Sequence, residues 1–127
     1  MDTQPEKAKK RILIAEDEQA MAGVLTHKLN AEGIDVLHVA TGDLVVPSLQ
    51  REHFDLVLLD LMMPEMDGFE VLQKMQELNL TTPVVVLSNL GQTEDVLKVK
   101  AYGAKDYIIK SSVTPAEILQ RVKGYLI

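Results

Sequence analysis

Acidic side chains follow two apolar runs of this chain, at the point where each run stops. Glu16 and Asp17 come directly after residues 11–15, and Asp60 ends the run of residues 54–60. Crowded carboxylates repel one another, which raises the pKa of at least one of them unless a cation intervenes. Mg²⁺ suits such a group because it takes one or two carboxylates, keeps several waters and accepts phosphate oxygens. The pattern therefore indicates a site for a hard divalent cation.

A hydroxyl group and an ammonium group end two later apolar runs. Ser88 closes residues 83–88, and Lys110 follows residues 107–109. A carboxylate nucleophile, a divalent cation, a lysine and a hydroxyl together suit phosphoryl transfer, in which positioning and charge neutralisation supply most of the catalysis. The predicted product is an aspartyl phosphate on Asp60.

The elements that must position these groups alternate between strand and helix. Five short apolar runs have the composition of buried strands: residues 11–15, 34–39, 54–60, 83–88 and 107–109. Strict alternation predicts an α/β fold, with a parallel sheet, right-handed crossovers and helices on both faces. Ligands of such sheets bind outside the carboxyl ends of the strands, where all of the groups described above should converge.

Start and stop signals predict the helices between these strands. Two pairs have the spacing of capping boxes, Asp67 with Glu70 and Thr114 with Glu117. Gly33 closes the first helix, and Pro47 requires the second helix to begin near Leu44 or to bend. The apolar faces are predicted to consist of Met21, Val24, Leu25 and Leu29 in the first helix, Phe69, Leu72 and Met75 in the third, and Ile118, Leu119, Val122, Tyr125 and Leu126 in the last.

Length and composition limit the remaining possibilities. The 127 residues fit a flexible tail of residues 1–10 and a single domain of residues 11–127. A net charge of −6 argues against binding to nucleic acid or to an anionic membrane surface. Cysteine is absent, which excludes disulfides and thiolate chemistry. No apolar run reaches the length of a membrane span, and we expect a cytoplasmic protein.

Four stretches of the chain, within residues 11–126, resemble the receiver domain of bacterial two-component response regulators. They read Ile-Ala-Glu-Asp-Glu at residues 14–18, Asp-Leu-Val-Leu-Leu-Asp-Leu-Met-Met-Pro-Glu-Met-Asp-Gly at residues 55–68, Val-Val-Leu-Ser at residues 85–88, and Gly-Ala-Lys-Asp-Tyr-Ile-Ile-Lys at residues 103–110. The resemblance implies a flavodoxin-like three-layer sandwich, with a five-stranded parallel sheet of order 2-1-3-4-5 and five helices. It also implies a signalling protein rather than an enzyme.

The same resemblance implies how the domain takes up phosphate. Asp60 would accept the phosphoryl group from a phosphohistidine on a sensor histidine kinase or a phosphotransfer protein. Asp17, Asp60 and the backbone carbonyl of Met62 would bind Mg²⁺, with Mn²⁺ as a substitute, and Glu16 would act through water.

It further implies how the signal leaves the domain. Ser88 and Lys110 would hold the phosphoryl group, and Tyr107 would be the rotating aromatic residue that reports phosphorylation. An output partner or a second copy of the chain would bind the fourth helix, fifth strand and fifth helix, where Lys98, Lys105, Asp106 and Arg121 offer charges.

Three positions depart from the family pattern. Glu16 stands where the family usually has aspartate, Asn89 where it has a small residue, and Ser111 where it has proline. The lysine–proline peptide of the family is typically cis. Before a residue other than proline a cis peptide costs about 2.5–4 kcal/mol, so energy favours a trans Lys110–Ser111 bond while the family geometry favours cis.

Two other functions remain open on the sequence. A pseudo-receiver would bind partners without being phosphorylated, although all of the chemical positions are filled. A haloacid-dehalogenase-like phosphatase also uses an aspartyl nucleophile, but it needs a second acid two residues later, where Met62 cannot donate a proton. Taken singly, Asp17 could instead cap a helix, and Tyr107 could be an ordinary half-buried strand residue.

Overall fold

Five strands and five helices make up the described part of the chain. The structure, a computed structural model, describes residues 9–127, so the predicted tail lies almost entirely outside the described residues. The strands are β1 (Arg11–Ala15), β2 (Asp35–Val39), β3 (Leu56–Leu59), β4 (Val84–Ser88) and β5 (Asp106–Ile109). The helices are α1 (Gln19–Ala31), α2 (Val45–Arg51), α3 (Gly68–Glu77), α4 (Thr93–Ala101) and α5 (Pro115–Gly124).

The strands form one parallel sheet in the order β2-β1-β3-β4-β5. In the register of the central strands, Leu13 lies between Leu37 of β2 and Val57 of β3. Every neighbouring pair of strands is parallel, so the carboxyl ends of all five strands lie at the same edge. The predicted fold class and strand order are confirmed, and the arrangement is flavodoxin-like.

Alternate side chains of the sheet enter two separate cores. Leu13 and Val57 point to one face, where they join residues of α2, α3 and α4. Ile12 and Leu56 point to the other face, where they join residues of α1 and α5. Because successive strand residues face opposite sides, a parallel sheet covered by helices on both faces needs almost continuously apolar strands. The apolar runs of the sequence therefore predicted these strands well.

The local signals of the helix ends are also confirmed. Both predicted capping boxes form, with Asp67 accepting from the Glu70 backbone N–H and Thr114 accepting from that of Glu117. Gly33 has a φ of +79°, the left-handed conformation expected just past a helix end. A 3₁₀ turn (Gly42–Leu44) precedes α2, so that helix begins late, as Pro47 requires.

Two residues predicted to be apolar contacts are instead exposed. Val24 is 43% exposed, because the buried stripe of α1 runs through Ala22, Leu25 and Leu29 and leaves Val24 to one side. Tyr125 is 38% exposed, because α5 has already ended and this residue is its C-cap. Within residues 9–127, no helix has both the length and the apolar character needed to span a bilayer.

Candidate functional site

Three carboxylates converge at the carboxyl edge of the sheet. Glu16 and Asp17 follow β1, and Asp60 follows β3, the strand beside it. One oxygen from each of them lies within 4.8 Å of the other two. Glu16 and Asp60 are buried, whereas Asp17 is exposed to solvent. The structure therefore brings together the three acids that the sequence singled out.

Lys110 lies among these acids as their common counterion. Its Nζ is 3.0 Å from Asp60 Oδ2 and also contacts Glu16 Oε1. Burial alone would lower the pKa of Lys110, but the hydrogen bonds and charges of Glu16 and Asp60 outweigh that effect and raise it. The side chain is only 7% exposed, so β5 delivers a charged ammonium group into the interior of the acidic cluster.

Glu18 is a third acid in contact with the lysine, which the sequence did not assign to the site. Its Oε1 lies 3.2 Å from Lys110 Nζ, although its side chain is 56% exposed. The only signal in the sequence was its place in the acidic triplet of residues 16–18. Because α1 begins at Gln19, Glu18 is the N-cap residue and stays at the strand end beside Lys110.

Glu16 lies buried in the acidic cluster, only 1% exposed. Burial, with a smaller contribution from neighbouring Asp60, raises its pKa to about 7, and contact with Lys110 offsets only part of the rise. Its Oε2 accepts the Glu18 backbone N–H at 3.1 Å. Its Oε1 contacts the Lys110 ammonium. A buried carboxylate with two further acids beside it fits a site for a hard cation.

Asp60 is held from three sides. Its backbone N–H donates to the Ala15 carbonyl at 3.0 Å, and its Oδ1 accepts the Met62 backbone N–H at 3.1 Å. Oδ2 faces Lys110. The loop after Asp60 is packed tightly, because a Cβ on Gly68 would lie 2.7 Å from the Asp60 carbonyl oxygen. The sequence Asp-Gly at the start of α3 thus combines a helix cap with a close approach of two backbone segments.

An open cavity of about 230 Å³ gives access to the acids. It is lined by Asp17, Glu18, Asp60, Met62, Asn89 and Lys110. A water molecule takes about 30 Å³ of the liquid, so the space suits a phosphoryl group together with several waters. Met62 contributes an exposed side chain, 58% accessible, to the rim.

Ser88 and Tyr107, the predicted switch residues, are linked to each other through Leu90. The Ser88 hydroxyl is fully buried and accepts the Leu90 backbone N–H at 3.3 Å. The Tyr107 hydroxyl donates to the Leu90 carbonyl, and burial raises the pKa of this phenol. Among residues 9–127 Ser88 makes no hydrogen bond to Asp60, and it is not one of the residues that line the cavity.

The Lys110–Ser111 peptide is trans, since residues 9–127 contain no cis bond. This is the alternative that the peptide energies favoured. Lys110 begins a 3₁₀ turn (Lys110–Ser112), and the backbone N–H of Ser111 donates to Asn89 Oδ1 at 3.0 Å. Two of the three departures from the family pattern are therefore in contact with each other.

Some charges expected on the output surface are paired within the domain. Arg121 donates two hydrogen bonds to the Asp106 carboxylate, at 2.6 and 2.7 Å. The Lys98 ammonium lies 4.5 Å from the centre of the Phe69 ring. Lys105 is exposed. The surface remains accessible, but a partner would have to compete with these internal contacts.

Comparisons with known proteins agree with this geometry. The family model of the response regulator receiver domain matches residues 12–123. The chain is 35% identical over 118 residues to the probable transcriptional regulator ycf27 of Porphyridium aerugineum, covering 93% of this chain and 48% of that protein. It is 32% identical over 117 residues to the alkaline phosphatase synthesis transcriptional regulatory protein PhoP of Bacillus subtilis (strain 168), covering 92% and 48%.

A solved structure supports the same assignment. The response regulator receiver domain protein (CheY-like) from Methanospirillum hungatei JF-1 superimposes with a TM-score of 0.86 at 30% sequence identity, covering 94% of each chain. The chain spans about half the length of the curated relatives it matches. Through its sequence, its strand order and its acidic strand ends, the chain belongs to the response regulator receiver domain family.

Proposed function

We propose that this receiver domain accepts a phosphoryl group on Asp60 from a phosphohistidine of a sensor histidine kinase or a phosphotransfer protein. Membership of the family implies a role in a phosphorelay. The observation that carries the proposal is the pairing of Asp60 with Lys110 inside a cluster of acids at an open cavity. Signalling by this route takes place in the cytoplasm and needs neither nucleic acid nor membrane as a direct ligand.

The acids supply the ligands that Mg²⁺ would need. Asp17 and Asp60 would bind the ion directly together with the Met62 carbonyl, and Glu16 would hold one of its waters. Bound there, Mg²⁺ or Mn²⁺ would neutralise phosphoryl oxygens and the carboxylates. The spacing of the three acids supports this assignment.

The transfer exchanges one bond to phosphorus for another. A carboxylate oxygen of Asp60 forms a bond to the phosphorus while the P–N bond to the donor imidazole breaks. The electron pair of that bond stays on the ring, which leaves as neutral imidazole because its other nitrogen already carries a proton taken from solvent. Lys110 lies 3.0 Å from the nucleophile and balances the charge on the phosphoryl oxygens. Charge neutralisation and alignment, rather than proton transfer by a protein base, would carry the reaction.

The output would pass through β4 and β5. A phosphoryl group on Asp60 would attract the Ser88 hydroxyl, which now accepts from the Leu90 N–H. Since Tyr107 is bonded to the carbonyl of the same residue, a shift of Leu90 would change both contacts. The face formed by α4, β5 and α5 would then change shape and bind an output partner or a second copy of the chain.

Phosphorylation by a small donor tests the proposal directly. Incubation with phosphoramidate and Mg²⁺ should add one phosphate to the intact protein, and EDTA should prevent the addition. Asp60→Asn should remain unlabelled, whereas Asp55→Asn, at the other end of β3, should be labelled like the wild type. If the wild-type protein stays unlabelled while it remains folded, the phosphoacceptor hypothesis is wrong and the chain is a pseudo-receiver.

A further inference from the structure

The loops after β4 and β5 are joined by one hydrogen bond beside the cavity. Asn89 is the first residue after β4, and Ser111 is the second residue of the 3₁₀ turn that follows β5. The Ser111 backbone N–H donates to Asn89 Oδ1 at 3.0 Å. Both residues are exposed, so burial does not require them to pair. We refer to this contact as the Asn89–Ser111 link.

We propose that the Asn89–Ser111 link positions Lys110 for phosphoryl transfer, which makes Asn89 a positioning residue that acts through the backbone of Ser111. The inference rests on the function proposed for Asp60. It assigns to Asn89 a role that is separate from direct contact with the phosphoryl group.

Apart from the ion pairs of the Lys110 side chain, the turn that carries this residue has few restraints on its backbone. It is a single 3₁₀ turn of three residues, and its N-cap residue Ile109 makes no side-chain cap. Within residues 9–127 no second side chain donates to or accepts from the backbone of this turn. A short 3₁₀ turn has weak internal hydrogen bonds, so an external tie at its centre restricts the backbone next to the Lys110 Cα.

The two residue types depend on each other chemically. A proline at position 111 would have no N–H to donate, and a small apolar side chain at position 89 would have no oxygen to accept it. The chain has both the donor and the acceptor, at the correct distance and on the two loops that flank the cavity.

The link also lies where it can affect the reaction. Asn89 lines the cavity together with Lys110 and Asp60. The Lys110 ammonium must stay within reach of both the nucleophile and the incoming phosphoryl oxygens. Errors of about 1 Å in such alignment reduce rates strongly. Loosening the turn should therefore slow the transfer without removing any group that binds the cation.

Phosphorylation kinetics of Asn89→Ala test the inference. We expect the maximal rate with phosphoramidate to fall roughly two- to ten-fold, the range that the net free energy of one hydrogen bond permits. The half-saturating Mg²⁺ concentration should stay unchanged, because the acids remain in place. A general loosening of the site would instead weaken Mg²⁺ binding as well.

Three further variants make the test specific. Ser111→Ala keeps the backbone N–H and should behave as the wild type. Asn89→Leu keeps the side-chain size but lacks the acceptor, so it should repeat the effect of Asn89→Ala without altering the backbone. In a Ser111→Pro background, which has no N–H, Asn89→Ala should cause no further loss if that background folds.

The outcomes separate this inference from the function on which it rests. If the wild-type protein is labelled on Asp60 but Asn89→Ala and Asn89→Leu react at the wild-type rate with a full amplitude, the positioning role is wrong and the phosphoacceptor role stands. If the wild-type protein is not labelled at all, the proposed function itself fails. A rate loss in Ser111→Ala equal to that in Asn89→Ala would move the role from the N–H to the serine hydroxyl and overturn the link.

Discussion

The two ends of β3 carry the same residue type in opposite surroundings. Asp55, just before the strand, accepts the Arg11 backbone N–H at 2.8 Å and pairs with His53 at 3.1 Å. Burial would raise the pKa of Asp55, but these contacts outweigh it and lower the pKa. Asp60, just after the strand, shares a single lysine with two neighbouring glutamates. An acid with partners of its own on both oxygens is structural, whereas several acids that share one cation form a site for charged ligands.

The cavities at the two ends differ in the same way. The amino end has a cavity of about 280 Å³, with a wall of mainly apolar and uncharged polar residues from α3, the loop before β4, the start of β4 and the loop between α4 and β5. The carboxyl end has the slightly smaller cavity of about 230 Å³, in which four of the six lining residues are charged. The cavity with the charged lining is the smaller of these two, so the charged groups rather than the volume distinguish the two ends.

Removal of the shared lysine should produce the largest effect on stability. Lys110→Met leaves Glu16 and Asp60 without their counterion, and breaking a buried ion pair from one side typically costs about 3–5 kcal/mol. We expect urea denaturation in EDTA to show a loss near the lower limit of that range, because Glu16 can take up a proton. Mg²⁺ should restore more stability to this variant than to the wild type.

The matched control lies at the other end of the sheet. Lys105→Met removes an exposed lysine from the wall of the amino-end cavity and should change the unfolding free energy by less than about 0.5 kcal/mol. Equal losses of unfolding free energy in Lys110→Met and Lys105→Met would contradict the proposed difference between the two ends of the sheet.

Gly68→Ala should cause the next largest loss of stability. Its Cβ would lie 2.7 Å from the Asp60 carbonyl oxygen and from the Leu61 Cα, and neither backbone atom can move cheaply. Overpacking of this kind costs about 1–3 kcal/mol. Gly23→Ala, in α1, is the control: its Cβ would meet nothing within 4 Å, and it should stabilise the protein by about 0.5–1 kcal/mol. Thermal unfolding of both variants measures the difference, and similar shifts would refute the close packing at Asp60.

The pH dependence of stability should carry the signature of Glu16. Its pKa rises from 4.5 in the unfolded chain to about 7 in the fold. The folded state therefore binds the Glu16 proton more tightly than the unfolded state does. The stabilisation that this proton provides is complete below pH 4.5 and is lost as pH rises through 7. The loss is on the order of 1–3 kcal/mol, and Glu16→Gln should abolish it. Metal-free denaturation curves at pH 5 and pH 8 measure it, and a wild-type protein with no decline would contradict the assignment.

Asp55 should give a smaller effect of the opposite sign. Because its pKa is lowered in the fold, its contribution is present above pH 3.8 and is lost as pH falls further. Asp55→Ala should cost about 1 kcal/mol at pH 7, the usual net value of a hydrogen bond, and the deficit should shrink in acid. Denaturation at pH 7 and pH 3 provides the comparison, and a deficit that grows in acid would argue against a carboxylate acceptor for the Arg11 N–H.

The sequence predicted the fold and the acids of the site because both depend on local patterns. Apolar runs that end in polar residues placed Asp60 and Lys110 at strand ends, and the capping boxes fixed the starts of α3 and α5. The links between distant loops have no such pattern. The contact of Glu18 with Lys110 joins residues 92 positions apart, and that of Asn89 with Ser111 joins residues 22 apart. Whether these pairs form depends on the geometry of the turns, which is determined by packing. Packing is also the reason that Val24 lies outside the buried stripe of α1.

The most direct test of the central claim is the chemical identity of the phosphorylated residue. Borohydride reduces an aspartyl phosphate to homoserine, and peptide mass mapping then locates the altered position. After treatment with phosphoramidate and Mg²⁺, we predict conversion at position 60 alone, in the wild-type protein and in Asp55→Asn. Conversion at Asp17 or at Asp67 instead, or phosphate that resists borohydride, would contradict the account.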